Sequence, residues 1–247
     1  LFCLQGTPLL FDDLDAKQKY FDLLRSKRVD AIILAGSKFV EMRAKDNAYI
    51  IEAASDLPIM LVNGFLEGEN IYSTVCDDHA AVYGAASQLL SSGRRRILYV
   101  YTSYSYSGVN KLEGYKDALK AKGITPSDEL IRQCPKDIEA ARELLLSLHR
   151  EGLEFDAVIT SDDSLAVGAV KYAHIADISI PRDLSIIGYN NSLLARCTDP
   201  EITSIDSKVE ALCTTTINTL MGVFSGVNVP SRTTIASDLI KRKTTNF

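Results

Sequence analysis

Polar side chains with hydrogen-bonding capacity gather directly behind the apolar runs of this chain. They are Gly36 and Ser37, Asn63, Asp77 and Asp78, the stretch 101–110 with its tyrosines and Asn110, Ser161 to Ser164, and Asn190 with Asn191. Short amides, carboxylates and hydroxyls of this kind suit the binding of a small polyol or a base. Groups that would turn a substrate over are missing from the pattern. The three histidines, His79, His149 and His174, stand in helix-period segments and share no motif. There is no G-x-S-x-G elbow, no G-x-x-x-x-G-K-[ST] loop and no G-x-G-x-x-G fingerprint behind a strand. Cys3, Cys76, Cys134, Cys197 and Cys213 are odd in number, scattered and without a C-x-x-C pair, which fits reduced thiols in a cytoplasm rather than disulfides or a zinc site. The expectation is a binding protein with no catalytic residue, no metal and no cofactor.

The elements that must position those groups alternate along the whole chain. Short apolar runs predict strands over 1–5, 29–34, 58–62, 70–76, 95–101, 129–133, 155–160, 183–188 and 230–242. Between them, apolar residues at helical spacing predict helices over 15–27, 38–55, 78–92, 109–122, 137–151, 162–176 and 207–224. The strands are apolar on both sides, as a sheet covered by helices on both faces requires. The fold class is therefore α/β with doubly wound parallel sheets, which bind ligands outside the carboxyl ends of their strands. That rule makes the groups behind the strands the candidate site.

Composition narrows the class further. The 247 residues are 46% hydrophobic and 24% charged, with a net charge of -5, so the bulk balance offers nothing to neutralise nucleic-acid phosphates or anionic lipid. If DNA is involved, its contacts belong to another module. The apolar runs are far too short to span a bilayer, and the first residues lack the charged start of an export signal. Leu1 is not a natural start, so a preceding piece is expected to be missing. The triple arginine 94–96 reads either as a phosphate contact or as a solvated helix-to-strand connection, where cations suit a helix C-terminus.

The run 180–191, with Pro181, Asp183, an apolar strand, Gly188, Tyr189 and paired Asn190 and Asn191, resembles the lactose-repressor family of transcription regulators. The segments 28–34, 75–81, 111–115 (Lys-Leu-Glu-Gly-Tyr), 161–169 and 199–205 fit the same pattern in the same order, so the likeness covers essentially the whole chain. It implies the periplasmic-binding-protein type I architecture, with two lobes joined by three crossovers and an effector in the cleft. The crossovers fall near 76–77, 205–206 and 237–238. The lobes are then 1–76 with 206–236, lacking their first strand and helix, and 77–205 with 237–247. The resemblance further implies a homodimer that is not an enzyme and does not touch membranes. Its partners are a sugar or related polyol and, through a helix-turn-helix module absent from this fragment, operator DNA. A periplasmic solute-binding protein feeding a transporter is the competing reading on the same architecture.

The likeness carries effector contacts onto Asn63, Lys111, Asp162 and Asn190, with Ser37 and Cys76 as further candidates at the cleft wall. Each has a plainer alternative. Asn63 either presents its amide to a ligand or makes the turn before Gly64. Lys111 stands where the family has arginine, so a bidentate fork becomes a single flexible ammonium, unless the residue merely lies on the surface at a helix start. Asp162, commonly asparagine in the family, is an acceptor for ligand hydroxyls, an N-cap of the helix behind it, or both. Asn190, commonly aspartate, is a ligand contact or the centre of an Asx-turn. Tyr104 and Tyr106 offer stacking faces for a sugar or base, or pack locally. The family's second aromatic platform, behind the strand near 129–133, has no counterpart in Gln133-Cys134-Pro135-Lys136.

Overall fold

A computed structural model describes residues 13–247; the strand expected over 1–5 and Cys3 lie outside them. In chain order the described elements are α1 (Leu14–Ser26), β1 (Ile32–Ala35), α2 (Ala48–Ala54), β2 (Ile59–Val62), β3 (Ile71–Cys76), α3 (Asp78–Ser91), β4 (Ile97–Tyr101) and α4 (Tyr106–Ala121). There follow β5 (Ile131–Gln133), α5 (Ile138–Arg150), β6 (Ala157–Thr160), α6 (Asp163–Ile175), β7 (Ser185–Tyr189), β8 (Thr203–Asp206), α7 (Val209–Phe224), β9 (Arg232–Ile235) and β10 (Asp238–Ile240). None of the helices among the described residues is long and apolar enough to cross a membrane.

Two units share these elements. The first holds the described part of Leu1–Cys76 with Ser105–Ser107 and Glu210–Ile235; the second holds Asp77–Tyr104, Gly108–Val209 and Ala236–Phe247. In the first unit β1-β2-β3-β9 form a parallel sheet. Phe21, Tyr49, Ile50 and Leu57 close one core against it, and Leu212 of α7 packs with Val62 and Cys76 in a smaller one. In the second unit the order is β10-β8-β7-β6-β4-β5, parallel except for β10. Its two cores lie on either side of the sheet. One is built on Leu98, Val158, Ile186 and the helices α5 and α6, the other on Tyr99, Ile159, Ile187 and the helices α3 and α4. Strands β6 and β7 are buried on both faces along their whole length, which explains their unbroken apolar sequence.

The structure departs from the sequence expectations in three places. The helix expected over 38–55 is regular only at 48–54, behind 3-10 turns at Ser37–Phe39 and Ala44–Asn47. Asn47 is the cause: its buried side-chain amide accepts from the Glu41 N–H at 2.7 Å and donates to the carbonyls of Glu41 (2.9 Å) and Arg43 (3.3 Å), offering the backbone partners a helix cannot. The strand expected over 230–242 is two strands, because β9 pairs with β3 in the first unit and β10 with β8 in the second. Finally, β8 is not among the expected strands, and its Thr203 and Ser204 are polar. Both are fully buried, and their hydroxyls bond Thr245 (2.8 Å) and Asp163 (2.6 Å). The triple arginine clamps backbone carbonyls. Arg94 donates to Arg182 (3.0 Å) and Asp183 (3.1 Å), Arg95 to Leu90 (2.6 Å) and Arg96 to Glu154 (2.7 Å).

Two motif glycines mark close approaches. A Cβ at Gly114 in α4 would lie 2.3 Å from the His79 carbonyl oxygen of α3, and one at Gly188 in β7 would lie 2.3 Å from Asp163 Oδ1. Gly84, by contrast, has nothing within 4 Å of such a carbon. Urea denaturation should show Gly114→Ala and Gly188→Ala each destabilised by about 1–3 kcal/mol. In the same assay Gly84→Ala should be neutral or stabilising by up to about 1 kcal/mol, since alanine is the better helix former.

Candidate functional site

The order of the second unit's sheet locates its own crevice. From β4 the chain goes outward to β5 and then returns past β4 to β6, so connections leave the carboxyl ends of β4 and β6 in opposite directions. Such a switch point leaves an opening into which side chains from both strand ends converge. Here the Thr102 N–H behind β4 donates to Ser161 Oγ behind β6 at 3.1 Å, tying the two ends together.

Asp162 and Asp163 stand at that point. Asp162 caps α6 from extended backbone: its Oδ1 accepts from the Ser164 N–H (2.9 Å) and Ser164 Oγ (2.7 Å). Its Oδ2 accepts from Asn190 Nδ2 at 3.0 Å and forms an ion pair with Lys136 Nζ at 2.7 Å. The cap and the contact surface are therefore the same carboxylate, with one oxygen turned to each task. Asn190 has φ +99°, and its N–H donates to the Ile205 carbonyl at 2.8 Å, so the strand end is pinned while the amide reaches across to Asp162. Asp163 points inward. Its Oδ1 accepts from Ser204 Oγ (2.6 Å), and its Oδ2 from the Ser192 N–H (2.7 Å) and hydroxyl (2.8 Å).

Lys111 does not lie on the surface at a helix start: it is well inside α4 and only 8% exposed. Its ammonium sits 3.6 Å from the Tyr189 ring centroid and 3.9 Å from Asp78 Oδ1, the oxygen that also accepts from the Tyr189 hydroxyl. Among the described residues it makes no hydrogen bond. A buried ammonium with three protons and only a ring face and a distant carboxylate beside it retains capacity for an acceptor.

In the first unit Asn63 takes the turn reading: φ is +59°, and its side-chain oxygen accepts from the Cys76 N–H at 3.2 Å, leaving the amide nitrogen as the donor in hand. Ser37 and Ser105 share a hydrogen bond of 2.9 Å. Tyr106 packs on Phe65 with ring centroids 5.7 Å apart, and Arg232 both donates to its hydroxyl (2.9 Å) and lies 4.6 Å over Phe65. Tyr104, assigned to the second unit, is 56% exposed and meets only the edge of Tyr101. The Cys76 thiol is buried. Within the second unit, then, Lys111, Asp162 and Asn190 all lie around one sheet's strand ends, whereas Asn63, Ser37, Cys76 and Tyr106 belong to the first.

A family model described as a periplasmic binding protein-like domain matches residues 86–245. Over 235 residues the chain is 55% identical to an HTH-type transcriptional regulator of Lachnoclostridium phytofermentans, covering 95% of this chain and 71% of that protein. This chain belongs to the lactose-repressor family of transcription regulators. It is also 28% identical to the regulator AscG of Escherichia coli, over 96% of this chain and 71% of that one. Among solved structures it is similar to a sugar-binding regulator of the family from Escherichia coli, crystallised with phosphate, with a TM-score of 0.82 and 27% identity over 94% of this chain and 82% of that chain. The family is one of regulators, and the chain is not an enzyme. Family members bind small-molecule effectors and operator DNA.

Sequence reasoning gave no role to two residues that the structure places against the candidate contacts. Lys136 is the nearest cation to Asp162, and its place in a short loop behind β5, noted only for its want of an aromatic, was the available signal. Asp78, 4% exposed, joins Tyr189 to Lys111; its place behind β3 put it among the candidate polar groups, but nothing in the sequence pointed to these partners. Elsewhere in the second unit a surface pocket of about 400 Å³ lies among Gln88, Ser91, Ser92, Lys241, Asn246 and Phe247.

Burial raises the Asp163 carboxyl above its usual 3.8, and the Ser204 and Ser192 hydrogen bonds oppose the rise. Between the unfolded and the folded values the folded protein thus holds a proton that the unfolded chain has released. Its contribution to stability is complete below the unfolded value and is lost as pH rises through the folded one. Denaturation from about pH 3.5 to about pH 7 should show the advantage of wild type over Asp163→Asn shrinking as pH rises, then levelling; a gap independent of pH would contradict this.

Proposed function

We propose that the chain is the effector-sensing part of a bacterial transcription regulator. It binds a small polar ligand, a sugar or related polyol, in the cleft between lobes 1–76 with 206–236 and 77–205 with 237–247. Closure of the lobes around the ligand changes how a homodimer presents helix-turn-helix modules, carried N-terminal to these residues, to operator DNA in the cytoplasm. The ligand acts by binding one of two states more tightly and so shifting their populations.

The observation that carries this reading is the polar rim at the second unit's switch point. There the Asp162 carboxylate and the Asn190 amide meet at 3.0 Å behind β6 and β7, and the ammonium of Lys111 is buried without a hydrogen bond. Asn63 from the first unit, with its amide nitrogen available, is the proposed contact from the other side, and Ser37, Cys76, Tyr104 and Tyr106 are proposed to line the wall. A single ammonium in place of an arginine fork suits a lone hydroxyl better than a bidentate group. The sugar-binding relative, 27% identical, supports the ligand class. The transport-receptor alternative is disfavoured, since a 55% identical relative is a transcription regulator.

Calorimetric titration with sugars, sugar phosphates and nucleosides identifies the ligand. Asp162→Ala or Asn190→Ala should weaken its binding by about 1–3 kcal/mol, the cost of leaving a buried partner without its hydrogen bond. Unchanged affinity in both variants would remove these residues from the site.

A further inference from the structure

Four donor groups of the chain itself surround the Asp162 carboxylate, three in hydrogen bonds and one in an ion pair, and that one is unlike the others. Ser164 supplies two from the first turn of α6 and is 7% exposed. Asn190 supplies the third from a strand end whose N–H is fixed to Ile205. The fourth is Lys136 Nζ at 2.7 Å, on a flexible side chain 65% exposed to solvent, whereas the Asp162 side chain is 10% exposed. A carboxylate has room for about four such donors. A ligand hydroxyl that donates to Asp162 must therefore dislodge one of them. Removing Ser164 undoes the helix cap, and removing Asn190 leaves a half-buried amide without its acceptor. Removing Lys136 returns an ammonium to water.

We propose that Lys136 is a placeholder, its ammonium occupying the position on Asp162 that a ligand hydroxyl takes, and that it thereby acts as a specificity-determining residue. This rests on the reading of Asp162 as a ligand contact. The exchange selects ligands by donor strength. A neutral sugar with a free, well-placed hydroxyl replaces the ammonium, and the displaced lysine is rehydrated. A molecule that brings only acceptors, such as a sugar methylated at that hydroxyl, leaves Lys136 in place and finds no site. Because the pair is half in water, the competition is modest and screened by salt.

Wild type, Lys136→Ala and Lys136→Arg can be titrated calorimetrically with a panel of neutral mono- and disaccharides, at low salt and at about 1 M sodium chloride, where the Debye length falls to about 3 Å. The placeholder predicts that Lys136→Ala binds the same sugar about two- to fivefold more tightly, the size expected for an exposed ion pair. Lys136→Arg, which keeps a cation on Asp162, should bind no more tightly than wild type. High salt should tighten wild type toward the alanine variant and leave that variant unchanged. Equal or weaker binding by Lys136→Ala, or a salt response shared by both proteins, overturns the placeholder while leaving the sensor reading intact. If neither protein binds any sugar, the sensor reading itself fails and the placeholder with it.

Discussion

Two adjacent carboxylates at the start of a buried helix can leave water only if donors are found for both, and much of the second unit is arranged around that requirement. Asp163, 1% exposed, draws in Ser192 and Ser204, so β8 carries a serine where a core strand would carry an aliphatic residue. The same oxygen leaves no room for a side chain in β7, hence Gly188. Asp162 turns one oxygen to the cap of α6 and the other to Asn190 and Lys136. The helix start, the strand end and the loop behind β5 are in this way held by a single dipeptide.

In the proposed reading, that arrangement separates support from recognition. The inward carboxylate fixes the geometry of the loop 190–192; the outward one turns an oxygen toward the solvent-exposed Lys136. Lys111 adds a complementary group, an ammonium held by the Tyr189 ring and the Asp78 carboxylate rather than by hydrogen bonds. An effector domain needs this combination. Its ligand must find groups already placed, yet its binding must differ between two states by only a few kcal/mol, so that the regulator responds to concentration.

The fold was legible because buried parallel strands must be apolar on both faces, and β2, β4, β6 and β7 are. What escaped was set by partners distant in sequence. Thr203 and Ser204 make a core strand only because Asp163 and Thr245 satisfy them, and Asn47 stops a helix through carbonyls it meets after folding. Of the proposed contacts, Asp162 and Asn190 were named from their place behind strands and from the family pattern, which also named Lys111. Their division of labour was not readable, since which oxygen of Asp162 caps and which faces outward is decided by Lys136 and Asn190, 26 residues before and 28 residues after it.

Amide hydrogen exchange, followed residue by residue with and without a sugar that the protein binds, tests the central claim most directly. The account predicts that protection rises at 161–164 and 189–192, around the Asp162 carboxylate, and along the adjoining start of α4. Protection confined to other parts of the chain, such as the pocket around Gln88, Ser92 and Lys241, with the strand ends of β6 and β7 unchanged, would contradict it.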